Sequence, residues 1–136
     1  MNYAIILSGG IGSRMNKIDI PKQYIKVQGK PLIMYTLEQF EKSKEIDTIV
    51  VVASNEWKQY IKDECREHGI SKILDIVING RTRQESIYNG LKKCIQSSSN
   101  IEDKVIIHDA VRPMVTVELI EKCLNNIGEY DGCMPV

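Results

Sequence analysis

A chain of 136 residues fits one domain, with a core able to bury most of the surface its unfolded form would expose. Its 18 Lys and Arg balance 18 Asp and Glu, which leaves no net field to gather nucleic acid or an anionic membrane. Any phosphate must therefore be held by cations placed locally, and the longest apolar runs, such as Ile49 to Ala53, are far too short to span a bilayer. The amino-terminal residues lack the basic stretch and apolar core of a secretory signal. Cys65, Cys94, Cys123 and Cys133 form no Cys-x-x-Cys pair, and the first three fall at core-like spacing on helical segments. The expectation is a soluble, cytoplasmic protein with small buried thiols and no nucleic-acid or membrane partner.

Along the chain, short β-rich runs alternate with longer segments of helical period. Tyr3 to Leu7 reads as a buried first strand, and Tyr24 to Val27 with the Gly29-Lys30 turn as a small excursion. Pro31 suits the first position of a helix that carries Ile33, Leu37 and Phe40 on one face. Thr48 to Ala53 is a second buried strand. Ser54 can cap the helix behind it, with Trp57, Tyr60, Ile61 and Cys65 inward and Gly69 at its end. Asp75 to Ile78 is a third strand. Thr82 and Glu85 have capping-box spacing before a helix with Ile87, Leu91 and Ile95 inward. After a fourth strand, Lys104 to His108, Thr116 opens a helix that buries Ile120, Cys123, Leu124 and Ile127 and closes at Gly128. This rhythm predicts an α/β fold: a Rossmann-like, mostly parallel sheet with helices on both faces, filling residues 1–136 as one domain. Tyr130 to Val136 reads as the start of another strand, so a domain cut short at its carboxyl end is expected.

Ligands of open α/β sheets gather beyond the carboxyl ends of the strands, and each unusual segment falls at such an end. The first is Leu7-Ser8-Gly9-Gly10-Ile11-Gly12-Ser13-Arg14-Met15. Glycines at 9, 10 and 12 let backbone amides approach a ligand, and successive amides beside a helix start make an anion nest. Arg14 adds a fork of donors for phosphate oxygens, and Pro21-Lys22-Gln23 brings a second cation to the same rim. A dinucleotide-binding turn would need a third glycine where Met15 stands and an acidic residue where Ala53-Ser54 closes the second strand. The Gly-x4-Gly-Lys-Ser/Thr phosphate loop is also missing. A structural turn without a ligand is the lesser alternative for the glycines alone; joined by Arg14 and Lys22, the loop favours phosphate.

The second segment is Asn79-Gly80-Arg81-Thr82-Arg83-Gln84-Glu85-Ser86, which reads equally as a ligand edge or as a solvated capping box with surface arginines. The third is His108-Asp109-Ala110-Val111-Arg112-Pro113. Asp109, just past a buried strand, can hold a metal ion or a substrate hydroxyl, or simply pair with Arg112. His108 reads as a hydrogen-bonded structural histidine and His68 as a surface residue. No Ser with a base and an orienting partner suggests acyl transfer. An anion nest, several cations and one carboxylate on one sheet edge fit nucleotidyl transfer. That chemistry relies on positioning and charge stabilisation rather than on a covalent nucleophile.

At Leu7 to Met15, Pro21-Lys22-Gln23-Tyr24, Gly80 to Ser86 and His108 to Pro113, in that order, the chain resembles the 2-C-methyl-erythritol 4-phosphate cytidylyltransferases and the closely related ribitol 5-phosphate cytidylyltransferases. The glycine-rich opening is shared by many nucleotidyltransferases; His-Asp-Ala-Val-Arg-Pro narrows the choice. The resemblance implies a fold of the nucleotide-diphosphate-sugar transferase type. It implies transfer of CMP from CTP to a polyol phosphate, with Mg2+ and release of pyrophosphate, in isoprenoid or teichoic-acid metabolism. By the same resemblance the backbone from Leu7 and Ser8 through Gly9, Gly10 and Gly12 would hold the CTP phosphates, and Arg14 and Lys22 would stabilise the reacting α-phosphorus. Gly80, Arg83 and Ser86 would contact the cytidine. Asp109, with Ala110 beside it, would lie by the ribose and serve as the metal ligand.

Two departures, Ser8-Gly9-Gly10 for Ala-Ala-Gly and Val111 for alanine, lean with Trp57 towards the ribitol branch. Family members continue through further strands, a dimerisation arm and acceptor-binding basic residues, so the chain is expected to hold the nucleotide half of a homodimeric enzyme. The rival readings are a nucleotidyltransferase that makes a GDP- or UDP-sugar and a nucleotide-binding fragment without catalysis.

Overall fold

The run Tyr3-Ala4-Ile5-Ile6 carries no charge, and a strand built from it is stable only if both of its faces are covered. In the computed structural model, which describes residues 1–9, 20–129 and 132–134, the run lies in the middle of a sheet. The elements in chain order are β1 (Asn2–Leu7), β2 (Lys26–Val27), β3 (Lys30–Pro31), α1 (Leu32–Lys42), β4 (Thr48–Ala53), α2 (Lys58–Glu67), β5 (Ile73–Ile78), α3 (Arg83–Ser97), β6 (Lys104–Asp109) and α4 (Val117–Asn126). Four of them form a sheet in the order β5-β4-β1-β6, and every pairing in it is parallel. β2 and β3 make a separate antiparallel ladder, turned by Gln28 (φ 53°) and Gly29 (φ 78°). Positive φ at both central residues is the mark of a type I′ hairpin.

Alternation along β1 and β4 divides the core in two. Tyr3, Ile5, Val50 and Val52 point to one face, where Cys94 of α3 is buried among them. Ala4, Ile6, Ile49, Val51 and Ala53 point to the other, against Ile33, Leu37 and Phe40 of α1, Ile61 of α2, and Ile120 and Leu124 of α4. Each fully covered Val, Leu or Ile contributes about 1.5–3 kcal/mol. The chain is thus the expected parallel α/β sheet with helices on both faces. Among the described residues β5 and β6 are the outer strands, and they are less covered than the sequence suggested. Ile78 is 41% and Ile107 40% exposed, because each strand has a neighbour on one side only.

Several local expectations shift by a residue or a turn. Pro31 ends the small ladder in an extended conformation (ψ 145°), so α1 starts at Leu32. Ser54 makes no side-chain cap bond; a short 3-10 turn over Asn55–Trp57 intervenes before α2. Gly69 does end α2, in the left-handed region at φ 73°. Thr82 caps α3 through the Glu85 amide at 3.1 Å, but the Glu85 carboxylate reaches past the cap to the Arg81 amide at 3.2 Å. Thr116 caps α4 as expected, through Leu119 N at 3.1 Å. That helix runs into a 3-10 turn over Ile127–Glu129 instead of stopping at Gly128. Of the strand expected from Tyr130, only 132–134 are described, and they have no regular structure. No helix among the described residues is long and apolar enough to cross a membrane.

α3 departs most. Its buried residues are Ser86, Gly90 and Cys94, and Ile95 is 70% exposed, so the helix is rotated by about one residue from the Ile87-Leu91-Ile95 face. The reason is distance. A Cβ on Gly90 would lie 2.9 Å from Ile5 Cγ2 and 3.1 Å from Val52 Cγ2, so only a face of small residues lets the helix sit this low on the sheet. Gly90→Val is therefore expected to cost about 2 kcal/mol or more by overpacking, read as a lowered urea midpoint at unchanged slope.

Burial also sets the cysteine chemistry. It pushes the Cys65 thiol up to about 12 and Cys94 up to about 11. An unfolded thiol titrates near about 8.5, so above that value the unfolded state has released protons that the native state still holds. Stability is then constant below the unfolded value and falls as pH rises towards the folded one. Urea midpoints measured from about pH 7 to about pH 11 should stay level and then decline, with a shallower decline in Cys65→Ala.

Candidate active site

The chain leaves β1, winds outward through β4 to β5, and returns to place β6 on the opposite side of β1. A sheet whose winding reverses in this way opens a crevice at the carboxyl ends of the two strands that flank the reversal. Leu7 and Asp109 are the last paired residues of β1 and β6. Beyond them the backbone keeps pairing: Ser8 N donates to Val52 O (2.7 Å), Ala110 N to Leu7 O (2.9 Å) and Asn79 N to Ala53 O (2.9 Å). Three loops therefore leave the sheet from fixed starting points. They enclose a cavity of about 540 Å³ lined by Leu7, Ser8, Gly9, Lys22, Gln23, Asn79, Gly80, Arg81, Thr82, Arg83, Ser86, Asp109 and Val111.

Eight of the residues singled out in the sequence thus share one cavity: Leu7, Ser8, Gly9, Lys22, Gly80, Arg83, Ser86 and Asp109. Gly10, Gly12 and Arg14 lie outside the described residues. Ala110 does not line the cavity. It is fully buried, and its carbonyl accepts the Thr36 hydroxyl at 2.9 Å, which ties β6 to α1. The Ser8 amide is spent on the sheet, so of the described loop residues only Gly9 remains as a candidate for the anion nest.

Two residues to which the sequence reading gave no role hold that loop. Gln23 is buried and donates from Nε2 to Ser8 O at 2.7 Å. Asn79 donates from Nδ2 to Gly9 O at 2.8 Å. A peptide's N–H lies opposite its C=O, so fixing the Ser8 carbonyl towards Gln23 turns the Gly9 N–H the other way. Gly9 must be glycine for a packing reason, since a Cβ there would overlap Cβ of Asn79. Neither amide side chain stands out in the sequence, because its partner is supplied by a loop far away in the chain. Tyr24 belongs with them: its hydroxyl meets Ser8 Oγ at 2.9 Å.

Across the cavity, Asp109 stands between two guanidinium groups. Arg83 Nη1 donates to Oδ1 at 2.7 Å and Arg112 Nε to Oδ2 at 3.3 Å. Arg83 is 62% exposed, and exposed pairs of this kind are worth about 0–1 kcal/mol, little enough for a ligand to exchange. Among the described residues lining the cavity, the cations Lys22, Arg81 and Arg83 face the single carboxylate of Asp109. The excess positive charge suits an anionic ligand. Each Asp109 oxygen keeps a further lone pair beside its guanidinium bond, so the set fits a magnesium ion carried mainly by phosphates and water, and does not fit an all-protein cage. Among the described residues lining the cavity the hydroxyls are already engaged: Ser8 Oγ is bonded to Tyr24, Ser86 Oγ accepts the Gly80 amide at 3.0 Å, and Thr82 Oγ1 accepts the Glu85 amide. His108 sits outside the cavity, its Nε2 in a 3.0 Å hydrogen bond with Arg112 O and its ring against Phe40, a structural placement. His68 is half-buried and paired with Glu64 at 3.2 Å.

The chain and its fold are similar to known proteins. A family model described as IspD, 2-C-methyl-D-erythritol 4-phosphate cytidylyltransferase, matches residues 2–136. The chain is 39% identical over 140 residues to ribitol-5-phosphate cytidylyltransferase of Vibrio parahaemolyticus, with 100% of the chain and 58% of that protein covered. It is 35% identical over 134 residues to 2-C-methyl-D-erythritol 4-phosphate cytidylyltransferase of Lachnospira eligens, covering 98% of the chain and 56% of that protein. Its structure is similar to the crystal structure of 4-diphosphocytidyl-2C-methyl-D-erythritol synthase from Anaerococcus prevotii. There the TM-score is 0.72 at 31% identity, with 93% of this chain and 50% of that one covered. The chain thus spans little more than half the length of the curated relatives it matches.

Proposed function

The chain belongs to the 2-C-methyl-D-erythritol 4-phosphate cytidylyltransferase family, and we propose on that premise that it supplies the nucleotide-binding part of an enzyme transferring CMP from CTP to a polyol phosphate. The acceptor is 2-C-methyl-D-erythritol 4-phosphate or D-ribitol 5-phosphate, the substrates for which its relatives are named. The observation that carries the reading is the convergence of Lys22, Arg83 and Asp109 on one cavity at the reversal of the sheet, with the serine hydroxyls there already engaged. Such a site favours charge stabilisation over covalent catalysis.

In the proposed reaction an oxygen of the acceptor phosphate attacks the α-phosphorus of CTP. A new P–O bond forms as the bond to the β-phosphate bridging oxygen breaks, and pyrophosphate leaves with that electron pair. Negative charge grows on the α-phosphate oxygens, where the Lys22 ammonium, exposed at the cavity rim, is suited to meet it. Arg14 is assigned the same task. Arg83, Gly80 and Ser86 would frame the cytidine, which requires Arg83 to exchange its contact with Asp109 for the ligand. Asp109 would then be free to hold the ribose or the metal. Magnesium, when bound, neutralises triphosphate charge and orients the leaving group.

The test is calorimetric titration with CTP and magnesium, with GTP as control, followed by pyrophosphate release with each polyol phosphate. CTP binding that exceeds GTP binding, with release on one acceptor, is expected; preference for GTP overturns the cytidylyl reading. Lys22→Ala should lower kcat by about 100-fold or more while CTP affinity changes by less than about fivefold, because its interaction grows only as charge develops.

A further inference from the structure

We propose that Trp57 is a positioning residue for Lys22 and acts through Tyr24; the inference rests on the role given to Lys22 above. Lys22, Gln23 and Tyr24 form a single 3-10 turn, closed by Tyr24 N donating to Pro21 O at 2.9 Å and Ile25 N to Lys22 O at 3.2 Å. Lys22 is the exposed member and lines the cavity, whereas Gln23 and Tyr24 are 6% and 2% exposed. Both buried members are bonded to Ser8, one to its carbonyl and one to its hydroxyl. The lysine's backbone and the start of the glycine loop therefore move as one piece.

That piece is also held by aromatic rings. The Tyr24 ring stacks on Trp57 with centroids 4.2 Å apart and planes 20° apart. Tyr60 meets Tyr24 edge-on at 5.6 Å and Trp57 edge-on at 5.2 Å. Trp57 closes the 3-10 turn ahead of α2, and Tyr60 lies in the first turn of that helix. Contact thus runs from the start of α2 through the packed rings of Trp57 and Tyr24 to the 3-10 turn that carries Lys22. A lysine side chain is flexible, so its reach towards a phosphorus depends on where its Cα is fixed. Small displacements of such a group cost rate far more than affinity.

A filler residue would be replaceable by another apolar side chain of similar bulk. A positioning ring would not, and this separates the two roles. In this protein, Trp57→Leu is expected to lower kcat about tenfold while KM for CTP stays within about threefold, and Trp57→Phe, which keeps a ring to stack, should recover most of the rate. Thermal melts of both variants are run alongside. A parental kcat in Trp57→Leu, or a loss that simply follows the fraction unfolded, overturns the inference. Lys22→Ala is the separating control: an undiminished rate there overturns the role of Lys22 itself, whatever Trp57 does.

The coupling can also be read without turnover. Trp57 is the only tryptophan of the 136 residues, so the chain's tryptophan emission comes from the ring stacked on Tyr24. Saturating CTP with magnesium should shift that emission in the parent, and Lys22→Met should abolish the shift while calorimetry still records binding. An emission unchanged by bound CTP counts against the inference.

Discussion

Everything in this domain depends on β1 being sandwiched edge to edge between β4 and β6 and covered on both faces. A strand in that position has its backbone groups paired and its side chains fixed on two sides, so it cannot slip by a residue without turning its core faces inside out. The point at which it stops is therefore fixed too. Leu7 ends it opposite Asp109, and Ser8 and Gly9 leave the sheet at a location the core dictates. The rigidity of the site is inherited from apolar packing several residues away.

On this frame the polar groups divide their labour by burial. Those that are covered, Ser8, Gln23 and Ser86, spend their hydrogen bonds on one another's loops and on backbone. Those that are open, Lys22, Arg81 and Arg83, are charged and lightly held. Asp109 belongs to both groups, partly covered and bonded to two exposed arginines. A ligand entering the cavity meets a fixed floor and exchangeable walls, which suits a polyanion that brings its own counter-ion.

The fold was readable because its signals are local and repeated. Strand runs such as Thr48 to Ala53 and caps such as Thr82 and Thr116 announce themselves within a few residues. The site was readable in part for the same reason, since Gly9, Gly80 and Asp109 stand at or just past a strand end and Arg83 opens the helix that follows β5. The roles of Gln23, Asn79 and Ala110 were not readable, because each is defined by a partner elsewhere in the chain: Ser8, Gly9 and Thr36. The rotation of α3 escaped for a related reason. Periodicity points to the isoleucines, but sheet-to-helix spacing is decided by the smallest residues on the helix, and apolar patterns are blind to the absence of a side chain.

That missing side chain reaches further than packing. The first turn of α3 carries Arg83 and Ser86 into the cavity, two turns and one turn ahead of Gly90 respectively. The height of the helix above the sheet sets how far those groups stand from Leu7 and Asp109, so the bare backbone at Gly90 acts as a gauge for the width of the pocket. In this fold a change of ligand size could be accommodated by altering a residue that never touches the ligand, with no new contact made and none removed.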